Sequence, residues 1–271
     1  MTRVTITGAA GRMGQMLVRG VWSTPGLELA GAVETPGHAR LGEDAGVVAG
    51  VGRTGVTLGA DLRAALAAAD ALIDFTFHAA VPANARVAAD AGKAVVIGTT
   101  GLDAAESDAV RAASRVAPVV WAPNMSLGVN LLFALVQQAA AVLGPEYDVE
   151  IVEVHHRHKQ DAPSGTALRL GEKVAAGRRQ DFRSVAVFGR EGITGERPAG
   201  QIGIHALRMA DVVGEHTVAF GAEGERLELS HRASSRSAFA QGALRAAVWA
   251  CGRPAGLYDM QDVLGLRAAG A

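Results

Sequence analysis

One stretch of this chain concentrates groups that hold anions and move protons. From Glu153 to Ala167 it runs Glu-Val-His-His-Arg-His-Lys-Gln-Asp-Ala-Pro-Ser-Gly-Thr-Ala. Strand alternation sends His155 and His156 to opposite faces until the strand ends. Pro163 disfavours helix at Ala162, and Ser164 is a natural N-cap. Gly165 and Thr166 then present first-turn amides, and Thr166 adds a hydroxyl. That is a receptor for a carboxylate. Lys159 and the histidines set cations and transferable protons beside it. Three other readings compete. A histidine-rich loop can be plain polar surface. Zinc binding by His155, His156 and His158 is disfavoured because adjacent histidines diverge and no cysteine accompanies them, so no metal is expected. A phosphate-binding P-loop lacks its sequence.

A second constellation lies at the N-terminus. Gly8, Ala9, Ala10, Gly11, Arg12, Met13 and Gly14 follow a short strand and open a helix. Gly8 permits the tight turn, Gly11 clears space for a pyrophosphate, and Gly14 lets the helix lie close to the sheet. The helix N-terminus offers amides and positive dipole to a diphosphate. Ala10 stands where a second glycine is usual. Glu34 falls 20 residues beyond Gly14, at the end of the second strand, where an acid receives ribose hydroxyls. These features predict a dinucleotide site. Glu34 followed by Thr35 favours NADH, because a carboxylate repels a 2′-phosphate, whereas Arg12, His38 and Arg40 could approach one. Use of NADH, NADPH or both is expected. Gly98-Thr99-Thr100-Gly101 and Ala122-Pro123-Asn124-Met125 end later strands, and strand-end loops are where ligands gather in such sheets.

The elements that must position these groups fall into two patterns. Up to about residue 125, strands at Val4–Thr7, Leu29–Glu34, Ala71–Phe75, Ala94–Gly98 and Val119–Trp121 alternate with helices. Those helices are read at Arg12–Ser23, Asp61–Ala68, Ala79–Ala91 and Ala104–Ser114, with Asp61 and Asp103 at N-cap positions. Alternation of this kind predicts an α/β fold, a doubly wound parallel sheet with helices on both faces. A long helix over Leu127–Leu143 and a strand over Tyr147–Val154 follow. From about Ser184 to His231 helical signals vanish, and strands are read at Val185–Phe188, Ile202–Arg208, Asp211–Phe220 and Arg226–Ser230. This predicts an α+β segment with an open mixed or antiparallel sheet. A helix near Ser237–Cys251 precedes a short tail ending at Gly265. An open sheet with apolar alternation invites self-association.

Composition narrows the function classes. The 271 residues suit two domains, nearly half of them are hydrophobic, and the formal net charge is −1. That balance gives no field for nucleic acid or an anionic membrane. Cys251 is the only cysteine, which rules out an internal disulfide and fits a reducing compartment. The opening residues read as strand and turn rather than the apolar stretch of a signal peptide. No run of about 18 apolar residues predicts a membrane span. A soluble cytoplasmic protein is expected.

The two constellations above belong to a longer series. Gly8 to Gly14, Val96 to Gly101, Ala122 to Asn130 and Glu153 to Ala167 occur in order, followed by Gly195 to Gly203, Asp211 to His216, His231 to Phe239 and Leu257 to Met260. Over nearly the whole chain this series resembles the 4-hydroxy-tetrahydrodipicolinate reductases, formerly dihydrodipicolinate reductases, of bacterial lysine and diaminopimelate biosynthesis. The resemblance implies a Rossmann-type domain over residues 1–126 plus 236–271. It also implies a substrate-binding and oligomerisation domain over 127–235 whose sheet assembles a homotetramer. By resemblance His155 is the proton donor/acceptor, Lys159 the proton donor, and His156, Gly165 and Thr166 the substrate-carboxylate ligands. Gly8, Ala9, Ala10, Gly11, Arg12, Met13, Glu34, Gly98, Thr99, Thr100, Ala122, Pro123, Asn124 and Met125 match the cofactor contacts. Thr35 departs from the arginine that some members carry for the NADP phosphate, and Met125 from an aromatic beside the nicotinamide. The expected substrate is a small dicarboxylate cyclic imine. Two other classes stay open: a non-catalytic NAD(P)-sensing protein, and a dehydrogenase of another small carboxylate or sugar. The sugar enzymes usually carry a Glu-Lys-Pro strand end that is missing here.

Overall fold

A computed structural model describes residues Met1–Arg267; residues 268–271, the end of the segment expected to complete the first domain, lie outside the described residues. Two compact units emerge, one from Met1–Leu127 with Arg236–Ala271, the other from Gly128–Ser235. In chain order the elements are β1 (Thr2–Thr7), α1 (Arg12–Ser23), β2 (Leu27–Val33), α2 (Ala45–Ala49), β3 (Leu58–Gly59), α3 (Leu62–Leu66), β4 (Ala71–Asp74), α4 (Val81–Asp90), β5 (Ala94–Ile97), α5 (Ala104–Ala113) and β6 (Pro118–Trp121). Then come α6 (Leu127–Leu143), β7 (Asp148–His155), α7 (Gly165–Gly177), α8 (Phe182–Val185), β8 (Ala186–Phe188), β9 (Ile202–Arg208), β10 (Gly214–Ala222) and β11 (Glu225–Ala233). The last are α9 (Ser237–Ala250), β12 (Gly256–Tyr258) and α10 (Met260–Val263).

The first unit is a seven-stranded parallel sheet in the order β12-β6-β5-β4-β1-β2-β3. Its central strands are mostly apolar because both faces are covered, with Thr5, Thr7 and Asp74 the buried polar side chains of β1 and β4. Ala71, Ile73, Val96 and Val120 pack on one face with α1 and α9. Leu72, Val95, Ile97 and Val119 pack on the other with residues of α4 and α5. This is the doubly wound parallel sheet that the alternation predicts, of the Rossmann type that the resemblance implies. Strand order reverses between β1 and β4, so the carboxyl ends of these two strands open a crevice for ligands. Asp61 caps α3 through the Ala64 amide, and Asp103 with Glu106 forms a capping box on α5.

The second unit holds a five-stranded mixed sheet, β11-β10-β7-β9-β8. β10 runs antiparallel to β7 and β11, whereas β9 runs parallel to β7 and β8. A two-residue turn joins β10 to β11, and its Gly224 takes φ 87°. Side chains from α6 and α7 cover one face in a single core.

Three local readings need correction. The C-terminal tail contains β12, which pairs with β6 at the sheet edge, and α10. Three residues carry no periodicity, so only their distant partner reveals this strand. The strand expected from Asp211 starts at Gly214, because Met209–Val212 turns with Ala210 at φ 44°. Helix persists into the stretch read as all strand, since α8 ends at Val185. The five-residue α2, between its caps Asp44 and Gly50, also went unread; it is too short to show a 3.6-residue period.

Candidate active site

The first unit builds a receptor at the end of β1. Gly8 takes φ 65°, and the Gly11 amide closes the turn onto the Gly8 carbonyl at 3.0 Å. A Cβ on Gly14 would fall 2.1 Å from that same carbonyl oxygen, so only glycine lets α1 start so close to the strand. No side chain caps α1 and no acid occupies its first turn. Its first amides therefore await an acceptor from elsewhere, which suits a diphosphate. Glu34 follows β2 directly, and its Oε1 accepts the Ala10 amide at 2.9 Å. The carboxylate thus braces the glycine turn. Arg12 is exposed and Met13 half-buried, while Ala9 sits in the core.

Loops after β4, β5 and β6 lie at the same edge. Thr99 donates its hydroxyl to the Thr76 carbonyl at 2.9 Å. A Cβ on Gly98 would meet the Phe75 ring at 2.1 Å, and one on Gly8 would meet the Thr76 methyl at 3.2 Å. The Phe75-Thr76 turn therefore packs against both glycine loops. Buried Asp74 holds it, accepting the Thr76 amide and hydroxyl at 2.8 and 2.6 Å and the Asn84 amide at 2.9 Å. Sequence reading gave a strand over Ala71–Phe75 and no role to this trio, whose place beside β1 shows only in the strand order. Thr100, Pro123 and Asn124 are accessible, and Ala122 is buried. Met125 is only 1% exposed and packs in the core below α9. Its side chain serves packing, so the accessible part of its loop is Pro123-Asn124.

In the second unit the site grows from the end of a core row. Inward residues of β7 are Val149, Ile151 and Glu153, and those of β10 are Phe220, Val218 and His216. The row is apolar along most of the sheet and becomes ionisable where β7 ends. Glu153 is fully buried, with Oε2 taking the His155 Nδ1 at 2.5 Å. Arg208 donates to both its oxygens, at 2.9 and 3.0 Å, and the Ser164 amide to Oε1 at 2.9 Å. Burial alone would push the Glu153 carboxyl up; these donors, Arg208 foremost, hold it below its usual value. Burial pushes His155 down, against the pull of Glu153. His216 stacks edge-on to His155 with centroids 5.2 Å apart, and burial drives its pKa down to about 3. It stays neutral.

Beyond β7 the loop carries the remaining groups. Lys159 pairs with Asp161 at 2.8 Å. Asp161 is mostly exposed, so the pair is worth about 0–1 kcal/mol and a dianion can take the ammonium over. Ser164 caps α7 by accepting the Ala167 amide at 3.2 Å. Gly165 is exposed and nothing lies within 4 Å of where its Cβ would be. The helix N-terminus is open there. His156 carries a buried Nδ1 with no partner among the described residues. His158 is exposed and its ring lies 6.2 Å from that of His156. Among the described residues no group of three or more His, Cys, Asp or Glu could hold a metal ion.

Comparison with known proteins agrees with this architecture. Residues 2–125 match the family model for the dihydrodipicolinate reductase N-terminus, and residues 128–264 that for its C-terminus. A 4-hydroxy-tetrahydrodipicolinate reductase from Anaeromyxobacter sp. is 58% identical over 99% of this chain and 100% of its own. One from Alkalilimnicola ehrlichii is 54% identical over 98% of this chain and 99% of its own. Among solved structures, a dipicolinate-bound dihydrodipicolinate reductase from Paenisporosarcina sp. TG-14 superposes with a TM-score of 0.76 at 24% identity, covering 97% of this chain and 98% of its own. With both halves matched in order and relatives this similar end to end, the chain belongs to the dihydrodipicolinate reductase family.

Proposed function

We infer that this protein is an oxidoreductase that reduces 4-hydroxy-tetrahydrodipicolinate to tetrahydrodipicolinate with NADH or NADPH, a step of lysine and diaminopimelate biosynthesis. The observation that carries the reading is full-length identity of 58% to a curated reductase of that name. The chemistry-bearing segment from His155 to Thr166 is present in full and folded around a buried acid.

A reduced nicotinamide, when bound by the glycine turn and its neighbouring loops, supplies the hydride. The residues of the second unit do the rest. The α7 amides of Gly165 and Thr166, with His156, hold one substrate carboxylate, and the Lys159 ammonium attracts the dianion. The ring loses its hydroxyl as water and takes hydride at C4. Negative charge then spreads toward the ring nitrogen and an adjacent carbon, where a proton from His155 or Lys159 quenches it.

The test couples the purified protein to a synthase that makes the substrate from pyruvate and aspartate semialdehyde, and follows loss of each reduced cofactor. Turnover with both is expected, with kcat/KM for NADH at least equal to that for NADPH. The Glu34 carboxylate, anchored on the Ala10 amide, opposes a 2′-phosphate. No turnover with either cofactor would favour a sensing protein. A strong NADPH preference would overturn the role given to Glu34.

The same reading makes the protein a cytoplasmic homotetramer assembled through the mixed sheet. β11 leaves one edge unpaired, and Leu207, Met209 and Leu227 are exposed on the second unit. No described helix is long and apolar enough to cross a membrane. Light scattering behind size exclusion should give about four times the chain mass. A monomer at micromolar concentration contradicts the assembly, and enzyme recovered outside the soluble cytoplasmic fraction contradicts the location.

A further inference from the structure

Glu153 does more than fill the end of a core row. Its carboxylate can only accept hydrogen bonds, while the Arg208 guanidinium and the Ser164 amide can only donate. The 2.5 Å contact with His155 Nδ1 therefore requires the proton on that nitrogen. Nε2 is left as the exchangeable position. Around it the fold keeps room: a Cβ on Gly214 would come within 3.0 Å of His155 Nε2, and glycine leaves that volume clear. His216 sets the ring plane from β10, opposite Glu153 in the strand register. Arg208 lies opposite His155 on β9 and also donates to the Asp161 carbonyl, so one guanidinium ties the acid to the loop of Lys159. The same carboxylate holds the amide of the α7 cap. One buried anion thus gauges both the imidazole and the helix that receives the substrate.

We propose that Glu153, braced by Arg208, is a positioning residue for the reduction, fixing the Nδ1-protonated tautomer of His155 so that Nε2 is the atom through which it exchanges a proton. This rests on the reading of His155 as an acid–base group of the reductase. The charged and titratable groups around that ring are Glu153 on its own strand, Arg208 on β9, His216 on β10 with His231 behind it on β11, and Lys159 with Asp161 in the loop. Among the described residues, Glu153 is the hydrogen-bond partner of Nδ1. Glutamine at this position has one acceptor oxygen for four donors and no charge to favour the imidazolium.

Two measurements test it. In wild-type protein labelled with ¹⁵N-histidine, the His155 signals, assigned by their loss in His155→Gln, should show Nδ1 protonated and Nε2 bare in the neutral ring. The opposite tautomer overturns the proposal whether or not any variant folds. In Glu153→Gln, kcat should fall about 10-fold or more, and the rise in KM for the imine, through the α7 cap that the same carboxylate holds, should be smaller. The His155 limb of the pH profile should move to lower pH, because the imidazolium has lost its partner. A folded variant with wild-type kcat, or with reduced kcat and an unmoved limb, sinks the assignment. Failure of the reductase reading looks different: no turnover by wild-type protein whose His155 carries the expected tautomer.

Discussion

Lys159→Ala is expected to lower kcat by about 10²-fold or more, as for loss of a positioned proton donor. The loss should fall on turnover and not on folding. Lys159 contributes one ion pair, to a carboxylate that is mostly in water, and its backbone is held independently by the His156 carbonyl at 3.1 Å. Removing such a pair costs at most about 1 kcal/mol, so thermal unfolding should change little. Lys159→Arg separates the two duties of the residue. Guanidinium keeps the charge that attracts a dianion but gives up no proton near neutral pH. It should therefore keep KM for the imine near the wild-type value while kcat stays low. Steady-state rates in the synthase-coupled assay check both. Near-normal turnover by Lys159→Ala would remove this lysine from the chemistry.

His156→Ala and Thr166→Ala should act on the other side of the reaction, weakening substrate binding by about 1–3 kcal/mol, the range for a charge-assisted contact. At roughly 1.4 kcal/mol per tenfold, KM for the imine rises about 5- to 150-fold. KM for the cofactor should not move, since the glycine turn belongs to the other unit. What marks His156 is its buried Nδ1, which has no partner among the described residues and bears a desolvation cost unless a ligand engages it. For Thr166 it is the place in the first turn of α7, next to an open Gly165. Wild-type KM in both variants would put the carboxylate elsewhere.

Much of this was legible in the residues themselves, for reasons that differ by element. The glycine turn declares itself because Gly14 has no substitute: any side chain there meets the Gly8 carbonyl. The long helices α1 and α6 were read to their ends, since twelve and seventeen residues display a full period. β12 was illegible because its three residues have meaning only beside β6, over a hundred positions away in the chain. The same holds for the heart of the site. Glu153 and Arg208 are 55 residues apart, and only the parallel register of β7 with β9 makes them partners. Sequence could show that Glu153 opens a polar motif but not that it lies fully buried beneath it. Glu34 was read as a ribose ligand from its spacing, yet its carboxylate also closes on the Ala10 amide, a contact that spacing cannot express. Met125 shows the converse, a strand-end residue whose side chain turns into the core.

Cocrystallising the protein with pyridine-2,6-dicarboxylate tests most directly whether the loop after β7 and the start of α7 form the seat of a cyclic dicarboxylate. Density for one carboxylate on the Gly165 and Thr166 amides, with His155 and Lys159 beside the ring, is the predicted result. A ligand seated elsewhere, with those groups left untouched, would contradict it.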